Sequence, residues 1–314
     1  MKHVFIVGTP FSGSTYLTAI LNGHPDVLAI GELERLPRFR RYEHLVASEP
    51  EIYDDGCLLC RTLSRPCPLW NAETLAEIDT LANVFEIHRA VARRAERAFG
   101  RPVRVTIDSS KTPDWLRYAA RTVSGIDGGF RTVKDEDVCA IITTKSVFGY
   151  AESMMRRSGM LPILAAQSWC DVTTDALRVI SSLSIPSMIV RYENLRMGPE
   201  MMIKRLCRFL GLSDSDEIVR EMCALTAGDH HGIGGNTFAY RDMLGDVSKI
   251  NLQNSWEGLR ADYRDGPPAP RRWIDKLDRD AVMMIASARG VHDLSQELGY
   301  DLGLEMEFHR DARR

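Results

Sequence analysis

The chain is 314 residues long, 44% hydrophobic and 26% charged, with seven cysteines and a formal net charge of −3. This is the composition of an ordinary globular protein with ample material for a buried core. The near-neutral balance supplies no global field for nucleic acid or an anionic membrane, so neither is expected as a partner. No run of about 18 apolar residues marks a membrane span, and the apolar stretch 4–7 after Lys2 is too short for the core of a signal peptide. A cytoplasmic location is the expectation, in keeping with an odd number of scattered cysteines.

In chain order, residues 4–7 predict a hydrophobic strand that runs into Gly8-Thr9-Pro10-Phe11-Ser12-Gly13-Ser14-Thr15. This loop follows the nucleotide-binding pattern G-x-x-x-x-G-K-[ST], except that Ser14 stands where the lysine belongs. Without that lysine the loop is poorly equipped to drive γ-phosphoryl transfer. It can still hold a single 5′-phosphate through the N–H groups of Phe11, Ser12, Gly13 and Ser14 and the positive end of the following helix, with the hydroxyls of Ser12, Ser14 and Thr15 as added donors.

Residues 14–21 read as that helix and 27–30 as a short extended run, with Gly31-Glu32-Leu33-Glu34 at its carboxyl end. A proline-interrupted stretch at about 54–70 carries Cys57, Cys60 and Cys67. Three thiols so spaced are open to three readings: zinc ligands with a distant fourth residue, a disulfide, or buried free thiols. Residues 83–99 place apolar side chains at helical spacing. The runs 103–107, 138–143 and 187–190 are short, apolar and β-branched, as buried parallel strands are. Each leads into a polar cluster: Asp108-Ser109-Ser110-Lys111, Lys145-Ser146, and Arg191-Tyr192-Glu193-Asn194-Leu195. Helical patterns over 199–210, 278–289 and 291–298 and a lid-like loop at about 228–270 complete the chain. Strands alternating with helices predict an α/β fold, a P-loop-like parallel sheet flanked by helices on both faces, in a single domain over 1–314. Ligands of such sheets bind beyond the carboxyl ends of the strands, where these polar clusters fall.

In this order the motifs resemble the sulfotransferases that use 3′-phosphoadenosine 5′-phosphosulfate (PAPS), with the bacterial small-molecule branch and the tyrosylprotein branch the most similar. The resemblance covers the first loop, the Gly31-Glu32 turn after His24-Pro25-Asp26, Asp108-Ser109-Ser110-Lys111, Lys145 with Ser153, Arg191 to Leu195, and His230-His231-Gly232-Ile233-Gly234-Gly235-Asn236. It implies sulfuryl transfer from PAPS to a hydroxyl or amine of a small-molecule acceptor, with no metal required. Glu32 is implied as the general base, with Glu34 as competitor because the loop before Gly31 is offset by one residue from the tyrosylprotein pattern. Lys111 is implied as the cation on the leaving phosphate. Lys145 and Ser153, eight residues apart, are implied as the 3′-phosphate anchor, joined by Arg157. Tyr192 falls near the nucleotide, and Gly235, Asn236 and Arg241 in a nucleotide-covering lid.

Two departures stand out. The related segment usually begins Arg-Asp-Pro where this chain has Lys145-Ser146-Val147, exchanging a planar fork for a point charge. Related loops often carry Arg or Lys where Phe11 stands, so that either Lys111 with the backbone amides or a nearby arginine must carry the charge. Two other functions compete with sulfuryl transfer: a P-loop nucleotide or small-molecule kinase, disfavoured by Ser14, and a non-catalytic nucleotide-binding module. The paired histidines lack the Glu-x-x-His or His-x-x-x-His spacing of a metalloenzyme and are read as part of the lid.

Overall fold

The structure is a computed structural model and describes residues 1–36, 39, 57, 60, 65–123, 136–224, 230–234 and 271–312. Five parallel strands form one sheet in the order β2-β3-β1-β4-β5. They are β1 (Lys2–Gly8), β2 (Val27–Gly31), β3 (Val105–Lys111), β4 (Val138–Thr144) and β5 (Ser187–Arg191). The helices among the described residues are α1 (Ser14–Asn22), α2 (Ala72–Asp79), α3 (Val84–Phe99), α4 (Pro113–Val123), α5 (Val147–Ser158), α6 (Pro162–Leu183), α7 (Tyr192–Met197), α8 (Pro199–Leu210), α9 (Asp216–Cys223), α10 (Trp273–Lys276), α11 (Arg279–Ser287), α12 (Val291–Glu297) and α13 (Leu302–Asp311).

The period-two geometry of β1 divides the core. Val4 and Ile6 pack with Leu17 and Ile20 of α1 and with Ile203 and Leu206 of α8 on one face. Phe5 and Val7 meet Phe85 and Val91 of α3, Trp115 of α4 and Val179 of α6 on the other. Both faces are covered, which is why the strand reads as an unbroken apolar run. A third cluster joins Phe148 of α5 and Trp169 of α6 to Trp273, Ile285 and Val291, so the C-terminal helices seal the far edge of the domain. Helix starts follow local chemistry: the side chains of Asn71 and Asn83 accept from the N–H groups of Thr74 and Glu86, and Asp278 and Asp301 cap α11 and α13 in the same way.

The expected α/β architecture is the one observed, with one shift of consequence. The strand expected at 103–107 runs instead from Val105 to Lys111, so the Asp108-Ser109-Ser110-Lys111 cluster lies within β3 rather than after it. Pairing with β1 on one side and β2 on the other supplies partners that extend the strand through its polar end. The chain leaves β1 toward β2 and leaves β4 toward β5, in opposite directions across the sheet. The adjacent ends of β1 and β4 therefore form a topological switch point, the crevice where open α/β sheets bind ligands. Among the described residues no helix is long and apolar enough to cross a membrane.

Candidate active site

The loop after β1 is built around three residues with positive φ. Gly8 has φ 148° and lies against the Thr143 backbone, which leaves no room for a Cβ. Phe11 has φ 63°, a left-handed conformation uncommon for a bulky side chain and costing of order 1–3 kcal/mol. Gly13, with φ 83°, is the N-cap of α1. A glycine cap has no side chain to occupy the first-turn N–H groups of α1, so their partial positive charge faces the crevice. The Ser12 hydroxyl donates to the Thr9 carbonyl at 2.7 Å and bonds Thr143 Oγ1 at 2.8 Å, which ties the loop to β4. Ser14 and Thr15 sit buried in the first turn of α1.

Register places a lysine on each side of this loop. On the β3 side Val7 pairs with Lys111; on the β4 side Gly8 pairs with Thr143, two residues before Lys145. Tyr192 lies directly over Gly13, in space that a Cβ would occupy, and Lys145 Nζ stands 5.3 Å from the centre of the same ring. Lys145 Nζ donates to Ser153 Oγ at 3.3 Å, so the residues expected to anchor a 3′-phosphate are already in contact. Gly149 makes space for the Lys145 stem, while the Trp169 indole donates to the Lys145 carbonyl at 2.9 Å. Only 5% of Lys145 is exposed. Burial pulls its pKa down to about 8, against the opposing attraction of Glu193 and Glu152.

Arg157 occupies the position that the sequence leaves open. Its guanidinium carbon lies 4.3 Å from the centre of the Phe11 ring. The aromatic ring is thus a platform on which a cation from α5 rests beside the loop after β1. This puts an arginine, one of the two expected alternatives for the missing charge, against the loop.

The second cluster lies at the ends of β2 and β3. Glu32, 3% exposed, forms an ion pair with Lys111 Nζ at 2.5 Å and a second with Arg35. Its backbone N–H donates to the Ile233 carbonyl at 2.6 Å. Glu34 accepts from Thr112 Oγ1 at 2.7 Å, and burial raises its pKa although that bond opposes the shift. Lys111 has φ 72° and only part of its side chain is exposed. The turn that aims it is held by fully buried Asp108, which accepts from the Ser110 N–H at 2.9 Å, the Ser110 hydroxyl at 2.5 Å and the Trp115 indole at 2.6 Å. Asp108 therefore shapes the strand end rather than facing the crevice.

Several partners of the site carry no local signal. Glu193 Oε1 accepts from the Ser146 N–H at 3.0 Å, and Glu193 Oε2 accepts from the Tyr300 hydroxyl at 3.0 Å. Glu305 of α13 accepts from the Ser146 hydroxyl at 2.8 Å, and burial raises its pKa to about 7. The C-terminal helices thereby brace the segment carrying Lys145. Their residues are separated from it by about half the chain, and only the fold reveals the link. Gly235, Asn236 and Arg241, expected in the lid, lie outside the described residues. His231, expected in the lid, instead contacts Cys57, Cys60 and Cys67.

No family model matches the chain, and no curated protein matches it. Among solved structures, the sulfotransferase domain from the Synechococcus PCC 7002 olefin synthase aligns with a TM-score of 0.50 at 19% identity, over 91% of this chain and 94% of that one. The sulfotransferase domain from the curacin biosynthetic pathway aligns with a TM-score of 0.44 at 17% identity, over 95% and 97% of the two chains. A sulfotransferase from Alicyclobacillus acidocaldarius gives 0.41 at 13% identity, over 97% and 98%. The first of these shows that the chain has the fold of a sulfotransferase domain.

Proposed function

We propose that the protein is a PAPS-dependent sulfotransferase acting on a hydroxyl or amine of a small-molecule acceptor. The observation that carries this reading is the pair of lysines flanking one phosphate-type loop, with Lys145 and Ser153 in contact on the β4 side and Lys111 beside Glu32 on the β3 side. A nucleotide bearing separate 3′- and 5′-phosphates suits two anion sites of this kind, whereas a triphosphate calls for the lysine that Ser14 replaces.

In the proposed reaction the 5′-phosphate rests on the first-turn N–H groups of α1, beside Arg157 on its Phe11 platform. Lys145 and Ser153 hold the 3′-phosphate, and Tyr192 lies along the nucleotide. The acceptor oxygen or nitrogen attacks sulfur, the bond from sulfur to the bridging oxygen breaks, and the electron pair leaves with the 5′-phosphate of adenosine 3′,5′-bisphosphate. Lys111 stabilises the charge that develops on that leaving group. Glu32 takes the acceptor proton. The Lys111–Glu32 ion pair keeps the cation and the base side by side at the ends of β2 and β3, within reach of one bound substrate.

Calorimetry with adenosine 3′,5′-bisphosphate, with 5′-AMP and with ATP plus magnesium tests the assignment. The bisphosphate is expected to bind at least about tenfold tighter than 5′-AMP, the scale of one charge-assisted contact. Preference for ATP with magnesium would replace this reading with a kinase. Tight bisphosphate binding without transfer from PAPS to a broad acceptor panel would leave a nucleotide-binding module.

A further inference from the structure

The cysteine-bearing stretch and the His230-His231 segment are far apart in sequence, yet they converge on one point. His231 Nδ1 lies 3.2 Å from Cys60 Sγ, 3.6 Å from Cys67 Sγ and 3.8 Å from Cys57 Sγ. All four candidate ligand atoms fall within 4.8 Å of one another. A tetrahedral zinc with Zn–S of about 2.3 Å and Zn–N of about 2.0–2.1 Å sets sulfur and nitrogen about 3.5 Å apart, and the three observed distances straddle that value. A disulfide would consume two thiols at about 2.05 Å, and all three cysteines are free. Packing alone would explain buried cysteines, but it gives no reason for three sulfurs to face one imidazole nitrogen.

The surroundings suit a closed metal centre. The Cys60 N–H donates to Cys57 Sγ at 3.4 Å and the Trp70 N–H to Cys67 Sγ at 3.2 Å, so two of the sulfurs each accept from a backbone donor three residues on. Such bonds offset the negative charge that three thiolates and a dication leave behind. Phe99 stacks on the His231 ring at 5.3 Å with an interplanar angle of 10°, and the Trp70 indole donates to the His231 carbonyl. All four ligands are buried. Three soft sulfurs and one imidazole are the donor set of a structural zinc, and four protein ligands leave no position open for catalysis.

We propose that Cys57, Cys60, Cys67 and His231 bind one structural zinc ion that clamps the 230–234 segment onto the end of β2, beneath Glu32. The mechanical link is short. Two residues after His231, the Ile233 N–H donates to the Ile30 carbonyl at 3.0 Å and the Ile233 carbonyl accepts from the Glu32 N–H. Cys57 also bridges Ile233 in antiparallel fashion. Metal binding would hold His231 two residues before Ile233, and Cys57 bridged to it, around the residue that holds the Glu32 backbone. The ion takes no part in the transfer chemistry, so this inference stands independently of the activity proposed above.

The test uses the full chain purified under reducing conditions without chelator. Elemental analysis should find about one zinc per chain, and cobalt(II) exchange should give thiolate-to-cobalt charge-transfer absorption with the ligand-field bands of a tetrahedral site. His231→Cys should keep the metal and His231→Ala should lose most of it. A wild-type protein isolated without zinc that also fails to take up cobalt after full reduction would overturn the site, as would a Cys57–Cys60 disulfide found by mass spectrometry. Chelator-stripped protein should show at least about tenfold faster amide exchange at Glu32 and Ile233, while amides of β1 stay protected. Unchanged exchange at those two residues in a zinc-containing protein would refute the clamp.

Discussion

Raising the pH from about 7.5 to about 9 should weaken adenosine 3′,5′-bisphosphate binding by about eightfold while leaving 5′-AMP binding nearly unchanged. The perturbation acts on Lys145, whose pKa burial lowers to about 8 in the unliganded protein. A 3′-phosphate beside Nζ favours the charged form, so binding draws on the protonated fraction and the dissociation constant scales as one plus 10 to the power of pH minus pKa. That factor is about 1.3 at pH 7.5 and about 11 at pH 9, a difference of about 1.2 kcal/mol. The ligand contributes little over this range, because phosphate monoesters complete their second ionisation near pH 6. Titration calorimetry in two buffers of different ionisation enthalpy supplies the second readout, an uptake of about half a proton at pH 8 with the bisphosphate and almost none with 5′-AMP. Identical pH dependence for the two nucleotides, or no proton uptake with the bisphosphate, would refute the placement of the 3′-phosphate on Lys145.

Glu32→Gln should lower kcat by about 10²- to 10⁴-fold with little change in bisphosphate affinity; if Glu34→Gln alone has that effect, the base is the carboxylate bonded to Thr112. Phe11→Gly removes the Arg157 platform and relieves a left-handed backbone, so affinity for the bisphosphate should fall by about 2- to 30-fold while the melting temperature holds or rises. Unchanged affinity would show that the ring does not position the guanidinium. Glu305→Gln concerns stability. Because the folded protein raises this carboxyl to about 7, the fold favours the neutral form, and a penalty accumulates as pH rises above the ordinary carboxylate range and is complete above about 7. The substitution should stabilise the protein at pH 8 by an amount of order 2 kcal/mol and lose that advantage near pH 4, as read by denaturant unfolding at the two pH values.

The sequence by itself determined the elements whose causes are local. The apolar run through Val7, the glycine-bounded loop and the hydroxyl-rich start of α1 follow from steric rules and backbone polarity, and so does the eight-residue step from Lys145 to Ser153, which spans a strand end and two helical turns. Alternation of strands and helices likewise implied a parallel sheet with both faces covered. What the sequence left open was decided by register and by distant packing. Whether Lys111 lay on a strand or beyond it depended on neighbours on both sides of β3, and pairing extended the strand to that residue. The contact between the Arg157 guanidinium and the Phe11 ring joins α5 to the first loop across about 146 positions, and only the fold brings them together. The bond from Ser146, next to Lys145, to Glu305 and the meeting of His231 with three cysteines join residues roughly 160 or more positions apart. No local propensity encodes such contacts; they form when separate apolar faces close on one core and bring their polar edges into the same small volume.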